Sequence, residues 1–238
     1  MPGCLARAGG TTMDTMTSDA WTGPAAQRSG LLGQTVVIIS GGSGIGLATA
    51  RRAKTDGARL IVTDRRSGPL EEMADEVGVE ATASFDEFDF GRLESFLYGL
   101  PGHVDHVVLV GGPPYLAPLD RIDLARTRDA LDGLLLPIGI ARYARREMRD
   151  GGSLVFVGEI GARRPNAGRT VAAIVAAAWP ALIASLAVEA APVRVNLIVP
   201  TPAGPGDDDV ATLAVHLMSS PALTGAILDL GDGPLRAG

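Results

Sequence analysis

The sequence predicts a doubly wound α/β fold, a parallel seven-stranded sheet with helices on both faces. Three observations carry this. Residues Val36 to Ala50, VVIISGGSGIGLATA, run from a β-branched segment through a glycine-rich turn into a helix start. A second apolar strand, Ala58 to Thr63, ends at Asp64, twenty residues after Gly44. Beyond it, strand-like and helix-like segments alternate, the order that parallel strands joined by crossover helices require.

Each element follows from local chemistry. Val36 to Ile39 suit a strand buried on both faces, and the glycines behind them let the backbone reverse and approach a ligand closely. The turn feeds a helix whose free N–H groups and dipole favour an anion, and Gly57 stops that helix. Next come a helix over Pro69–Val77, a strand over Val79–Phe85 and a helix over Phe90–Tyr98. Val104–Val110 is a strand running into Gly111, Gly112, Pro113 and Pro114. Asp120–Leu131 and Leu134–Met148 read as helices with Gly133 near their junction. Ser153–Val157, Val193–Val199 and Ala226–Leu230 complete the strands. Any cleft then lies at the carboxyl ends of the strands, beside the glycine turn.

Length and composition bound the answer. With 238 residues the chain fills one large α/β domain, expected over 31–238, behind a tail over 1–30 rich in Gly, Thr, Ser and Ala and expected to be disordered. Met13 and Met16 are equally good starting points. The balance of 21 basic against 27 acidic side chains argues against a nucleic-acid partner. The single cysteine, Cys4, excludes an intrachain disulfide and a cysteine-rich metal site, so a cytoplasmic protein is the simplest reading. Val171 to Val188 is uncharged and long enough to span a membrane, but its alanine content, Pro180 and its setting point to a buried helix instead. No metal site is expected: His103 and His106 sit at the end of a strand remote from the cleft, and His216 has no obvious partner.

The glycine turn is the strongest functional signal. A glycine pattern alone also fits a tight turn that binds nothing. Strand, turn, helix, strand and acid in register instead make a dinucleotide-type Rossmann unit, with Ser40, Gly41, Ser43, Gly44, Ile45 and Gly46 around the phosphates and Asp64 on the ribose hydroxyls. A carboxylate there repels a 2′-phosphate, so NAD is favoured over NADP, and Arg65 and Arg66 soften that preference.

From about Leu32 to Gly233 the chain resembles the short-chain dehydrogenase/reductase superfamily. GQTVVIISGGSGIGLA is similar to that family's opening strand and TGxxxGxG turn, ARLIVTDRR to its second strand, and DHVVLVGGP to its NNAG strand. SLAVEAAPVRVNLIVP resembles the end of its active-site helix with the next strand, and TGAILDLGDG its closing strand. The resemblance implies that Asp86 contacts the adenine amine, that Gly111 and Gly112 stand at the NNAG strand end, and that the chain forms a homodimer or homotetramer through the Thr170–Glu189 helix.

The departures are as informative. The family's TG falls on Ile39 and Ser40, so the first glycine is lost. Counting back from AVE at Ala187–Glu189, the family's catalytic tyrosine falls on Ala172, its lysine on Ala176 and its serine on Glu159, while its asparagine falls near Gly133. Between Glu159 and Glu189 there is no tyrosine. An alanine methyl transfers no proton, and general acid–base catalysis is worth ~10²–10⁴-fold in rate. The segment TPAGPGDDD also leads quickly into a helix over Val210–Met218, where the family carries a long segment over substrate and nicotinamide.

Glu159, between Gly158 and Gly161, is the catalytic candidate: at a central strand end it faces the cleft and could shuttle a proton. The alternative is a solvated glutamate paired with Arg163 or Arg164. Those arginines and Arg169 either receive an anionic substrate or form a solvated rim, and Tyr115 either lines the pocket wall or packs its ring. The leading expectation is a redox-neutral role, cyclisation, isomerisation or proton shuttling, on a small metabolite. Two alternatives stand beside it: an atypical NAD-dependent oxidoreductase, and a non-catalytic nucleotide-binding sensor or partner subunit.

Overall fold

The computed structural model describes residues 30–100, 102–158, 166–200 and 206–231. The expected N-terminal tail lies outside these. Seven strands form one parallel sheet in the order β3-β2-β1-β4-β5-β6-β7, with β1 Thr35–Ile39, β2 Arg59–Asp64, β3 Ala81–Ser84, β4 Val104–Val110, β5 Met148–Val157, β6 Arg194–Pro200 and β7 Ile227–Leu230. The helices are α1 Gly44–Thr55, α2 Ser67–Val77, α3 Phe90–Tyr98, α4 Leu124–Asp132, α5 Leu135–Glu147, α6 Thr170–Glu189 and α7 Asp207–Ser219.

Strand residues divide alternately between two cores, which is why the central strands carry continuous apolar runs such as Val36–Ile39 and Val107–Val110. Val36 and Ile38 pack with α1, α2 and α7, while Val37 and Ile39 pack with α3, α5 and α6. β1 pairs with both β2 and β4, and the order of strands reverses between β1 and β4. A crevice opens at such a switch point, at the carboxyl ends of the strands.

Several boundaries differ from the sequence reading. The strand expected over Val79–Phe85 contracts to Ala81–Ser84, a largely exposed edge strand, because Val79 still belongs to the turn closing α2, its N–H donating to Ala74 O. The helix expected from Asp120 is broken. Leu119–Arg121 forms a single 3₁₀ turn, and α4 begins afresh where the Asp123 carboxylate accepts the N–H groups of Ala125 and Arg126. β5 extends back to Met148 through an irregularity at Gly151 (φ +79°), which shifts its register on β4. The expectation of a buried α6 holds for one face only. Trp179, Ile183 and Leu186 are in the core, but Ile174, Ala177, Ala181, Ala184 and Val188 are exposed. By length and hydropathy this helix could cross a membrane, with a mean hydropathy of 2.2 and 28% of its apolar stretch buried. Its buried face packs against β6, α4 and α5.

Candidate functional site

The glycine turn is shaped by close backbone packing. A Cβ at Gly46 would lie 2.5 Å from Gly41 Cα and 2.8 Å from Ser40 O, and one at Gly41 would strike Val62 and Ile38. Gly44 opens α1 at φ +54°. Ser43 caps α1 without any side-chain hydrogen bond to the helix, so the anion-favouring end is left open. Ile45 is half-buried, and its carbonyl accepts from the Thr49 hydroxyl at 2.7 Å.

Ser40 takes the left-handed conformation, φ 61°, which costs a residue with a Cβ ~1–2 kcal/mol. Its hydroxyl oxygen is buried with no hydrogen-bond partner. An orphan polar atom beside an uncapped helix end is the feature of this turn that most suits a bound polar group.

Asp64 closes the turn from β2. Its Oδ2 accepts the Gly42 N–H at 3.0 Å and its Oδ1 the Arg66 N–H at 3.0 Å. The Arg66 guanidinium reaches over the turn to the Ser43 hydroxyl at 3.3 Å. Asp86 is exposed, and its carboxylate accepts the Phe88 N–H within its own turn.

The structure thus gathers Ser40 to Gly46, Asp64 and Arg66, and sends the neighbouring Arg65 elsewhere. Arg65 lines a cavity of about 290 Å³ on the other face of the sheet. Glu87 and Phe88 stand beside it there, and Gly111, Gly112 and Tyr115 follow from the end of β4. Phe156 and Gly158 come from β5, Gly133 and Leu134 from the α4–α5 junction, and Ala172 and Trp179 from α6. Gly111 is held against β5 by a 2.7 Å hydrogen bond from its N–H to Val157 O.

Among the described residues, no tyrosine and lysine meet in this cavity. Of the chain's three tyrosines, Tyr98 and Tyr143 pack edge to face between α3 and α5, and burial pushes the Tyr143 phenol up to about 12. Tyr115 alone of the three lines the cavity; its hydroxyl accepts the Asp123 N–H at 2.9 Å and its ring carries the Arg126 guanidinium at 4.6 Å. Lys54 is the single lysine of the chain, and its ammonium donates to Gly78 O at the far end of α1. Ala176 is buried in the core and does not line the cavity. Glu159, Arg163 and Arg164 lie outside the described residues. Among the described residues no group of acids, histidines and cysteines could hold a metal.

Trp179 is the cavity residue the sequence reading passed over. Its signal was a lone ring in an alanine-rich helix, one turn beyond Ala176. Only the fold shows that this turn faces the end of β5.

The profile described as Enoyl-(Acyl carrier protein) reductase matches residues 39–206. The chain belongs to the short-chain dehydrogenase/reductase superfamily. Among relatives, it is 26% identical over 244 residues to the Short-chain dehydrogenase/reductase ATR9 of Stachybotrys chlorohalonatus (strain IBT 40285), covering 84% of this chain and 96% of that one. It is 30% identical over 186 residues to the Cyclic-di-GMP-binding biofilm dispersal mediator protein of Escherichia coli (strain K12), covering 74% and 75%. Among solved structures, BdcA in complex with NADPH superposes with a TM-score of 0.77 at 23% identity, over 84% of this chain and 93% of that one. A 7α-hydroxysteroid dehydrogenase complexed with NADH and 7-oxo glycochenodeoxycholic acid gives 0.79 at 24% identity, over 89% and 98%. These two likenesses establish the fold.

Proposed function

We propose that this superfamily member keeps a dinucleotide-type turn but has given up tyrosine-dependent hydride transfer, and acts on or binds a small metabolite in a redox-neutral role. The observation that carries the reading is the pairing of Ala172 in the cavity wall with a single, remote lysine. The turn itself fits a nicotinamide dinucleotide. Ser40 to Gly46 would hold its phosphates and Asp64 its ribose hydroxyls, with NAD preferred to NADP. When bound, such a cofactor supplies a hydride donor or acceptor. This chain's own residues supply an anion cradle, a half-enclosed apolar cavity and, by the sequence pattern, Glu159 as the acid or base. The short connection between Pro200 and Asp207 leaves little chain to cover the site, which disfavours water-sensitive chemistry.

The E. coli relative, named for binding cyclic-di-GMP, favours a second reading, a nucleotide-binding sensor without turnover. We also infer a cytoplasmic homodimer or homotetramer that covers the exposed small-residue face of α6, since such a face permits close helix approach.

The test is titration of the purified chain with NAD and NADP, followed by NADH oxidation across a carbonyl panel. Dinucleotide binding with no turnover above the uncatalysed rate is expected. Brisk carbonyl reduction would overturn the redox-neutral reading, and slow turnover lost in Glu159→Gln would establish the atypical oxidoreductase. Light scattering at the mass of a single chain would remove the oligomer.

A further inference from the structure

β3 is one open edge of the sheet, and the chain around it carries charge of a single sign. From Glu71 to Asp89 there are eight acidic side chains and no lysine, arginine or histidine. We propose that the free edge of β3 is a docking site for an extended basic segment of another protein, which adds as a further strand with its lysine or arginine side chains turned toward α2.

The edge is bare. β3 pairs with β2 alone, from Ile61↔Ala81 to Asp64↔Ser84. Because the Glu80 N–H donates inward to Leu60 O at 2.9 Å, strand alternation turns the N–H and C=O groups of Ala81 and Ala83 outward. Natural edges are commonly protected by lysine, proline or a bulge. Ala81–Ser84 has none of these, and Ala81, Thr82 and Ser84 are exposed.

The charge is placed to choose the partner. In register with Val62, Thr82 faces the side of the sheet on which α2 packs, while Ala83 faces the other core. α2 lies over β2 and β3 with α1 on one side, where Arg51 pairs with Glu76 at 2.6 Å. With Leu70 and Met73 buried, helical spacing puts Glu71 and Asp75 on the opposite flank, which looks out over the edge. Both are exposed and neither forms an ion pair among the described residues. The same holds for Glu80 at the entry to the strand.

A second copy of the chain is a poor occupant, because it would bring the same carboxylates face to face. Residues 1–29 are no better, with Arg7 and Arg28 balanced by Asp14 and Asp19. A separate basic strand meets both the open amides and the unpaired carboxylates: main-chain bonds supply affinity and alternate side chains supply selectivity.

The experiment is titration of the full chain at low salt with an acetylated, amidated hexapeptide of alternating lysine and valine, and with its glutamate–valine counterpart. Affinity is read by calorimetry and hydrogen exchange by NMR. The lysine peptide should bind and slow exchange of the Ala81 and Ala83 amides, and the glutamate peptide should do neither. Ala83→Pro removes an outward N–H and spares the inward ladder, so it should weaken binding by about two- to tenfold. Should proline disturb the strand, Glu71→Lys combined with Asp75→Lys acts on the exposed flank of α2 alone and should weaken binding by about fivefold at low salt. Unchanged exchange at Ala81 and Ala83, equal affinity for the two peptides, or binding untouched by either set of substitutions would overturn the proposal. No dinucleotide or carbonyl substrate takes part, so these outcomes stand apart from the redox-neutral reading.

Discussion

At the amino end of the sheet Asp105, His106, Ser153 and Asn196 are buried and each is hydrogen-bonded, whereas at the carboxyl end the Ser40 hydroxyl is buried without a partner and the cavity walls are mostly methyl groups, glycine backbone and rings, with Arg65, Glu87 and Asp129 among them. The amino end joins strand to strand. Asp105 accepts the Thr35 N–H at 2.8 Å, the His106 ring lies between Ser153 and Gln34, and Arg194 donates to the last carbonyls of α7 at Leu217 and Met218. Apart from Arg194 Nε, which is buried without a partner, this network is satisfied, and such networks fix a unique arrangement, while an unmet group beside open space marks where something else is meant to bind. The difference assigns stability to one end and function to the other, and substitutions can test that division.

The largest expected effect is at His106. Burial, reinforced by the nearby Arg194 charge, lowers its pKa from 6.5 to about 3. In the unfolded chain the ordinary value returns, so between those limits the unfolded state binds the extra proton. The stability contributed by the neutral ring is therefore lost as pH falls, at about 1.4 kcal/mol per pH unit. Urea denaturation from pH 7 to 4 should show this slope, and His106→Gln should remove it. An identical slope in the variant would show that His106 does not titrate on unfolding.

Asn196 comes next. Its amide donates to Leu223 O at 2.9 Å and its carbonyl accepts the Ala226 N–H at 3.1 Å, pinning the chain that enters β7. Asn196→Ala leaves two half-buried backbone groups unmet and should cost about 1–2 kcal/mol in chemical denaturation. A loss below about 0.5 kcal/mol would mean that water replaces the amide there, and the amino end would be less closed than it looks.

The carboxyl end should respond in the opposite direction. Ser40→Gly relieves a left-handed Cβ, and after the larger unfolded-state entropy of glycine is offset, a gain of about 0.5–1 kcal/mol is expected. A decrease in thermal midpoint would show that the serine is stabilised by something other than its backbone.

The same contrast explains what was legible in the sequence. The fold was readable because both faces of the sheet are buried, so Val36–Ile39 and Val107–Val110 had to be continuous apolar runs, and the glycine turn announced its own geometry. α4 was misread because a single N-cap, Asp123, resets a helix that apolar spacing would continue. At the site, the sequence could say that 172 and 176 are alanines, since side-chain identity is local. It could not say that Trp179 reaches Gly158 or that Arg65 and Asp64 part to opposite faces of the sheet, since those depend on how α6 and β2 meet the switch point.

The smallest effect concerns Asp207, at the head of α7, which packs against α1. Its Oδ2 lies 3.6 Å from where a Cβ on Gly44 would be, so a carboxylate overhangs the turn that would hold a pyrophosphate. A charge beside a helix end is worth ~0.3–1 kcal/mol, and here its sign opposes a second anion. Asp207→Asn should therefore tighten NAD binding by about two- to fivefold at low salt. The gain should fade as ionic strength rises, because the pair is solvent-exposed. If NAD affinity is the same in both proteins at low salt, no phosphate comes near Gly44, and the dinucleotide reading of the turn loses its main physical support.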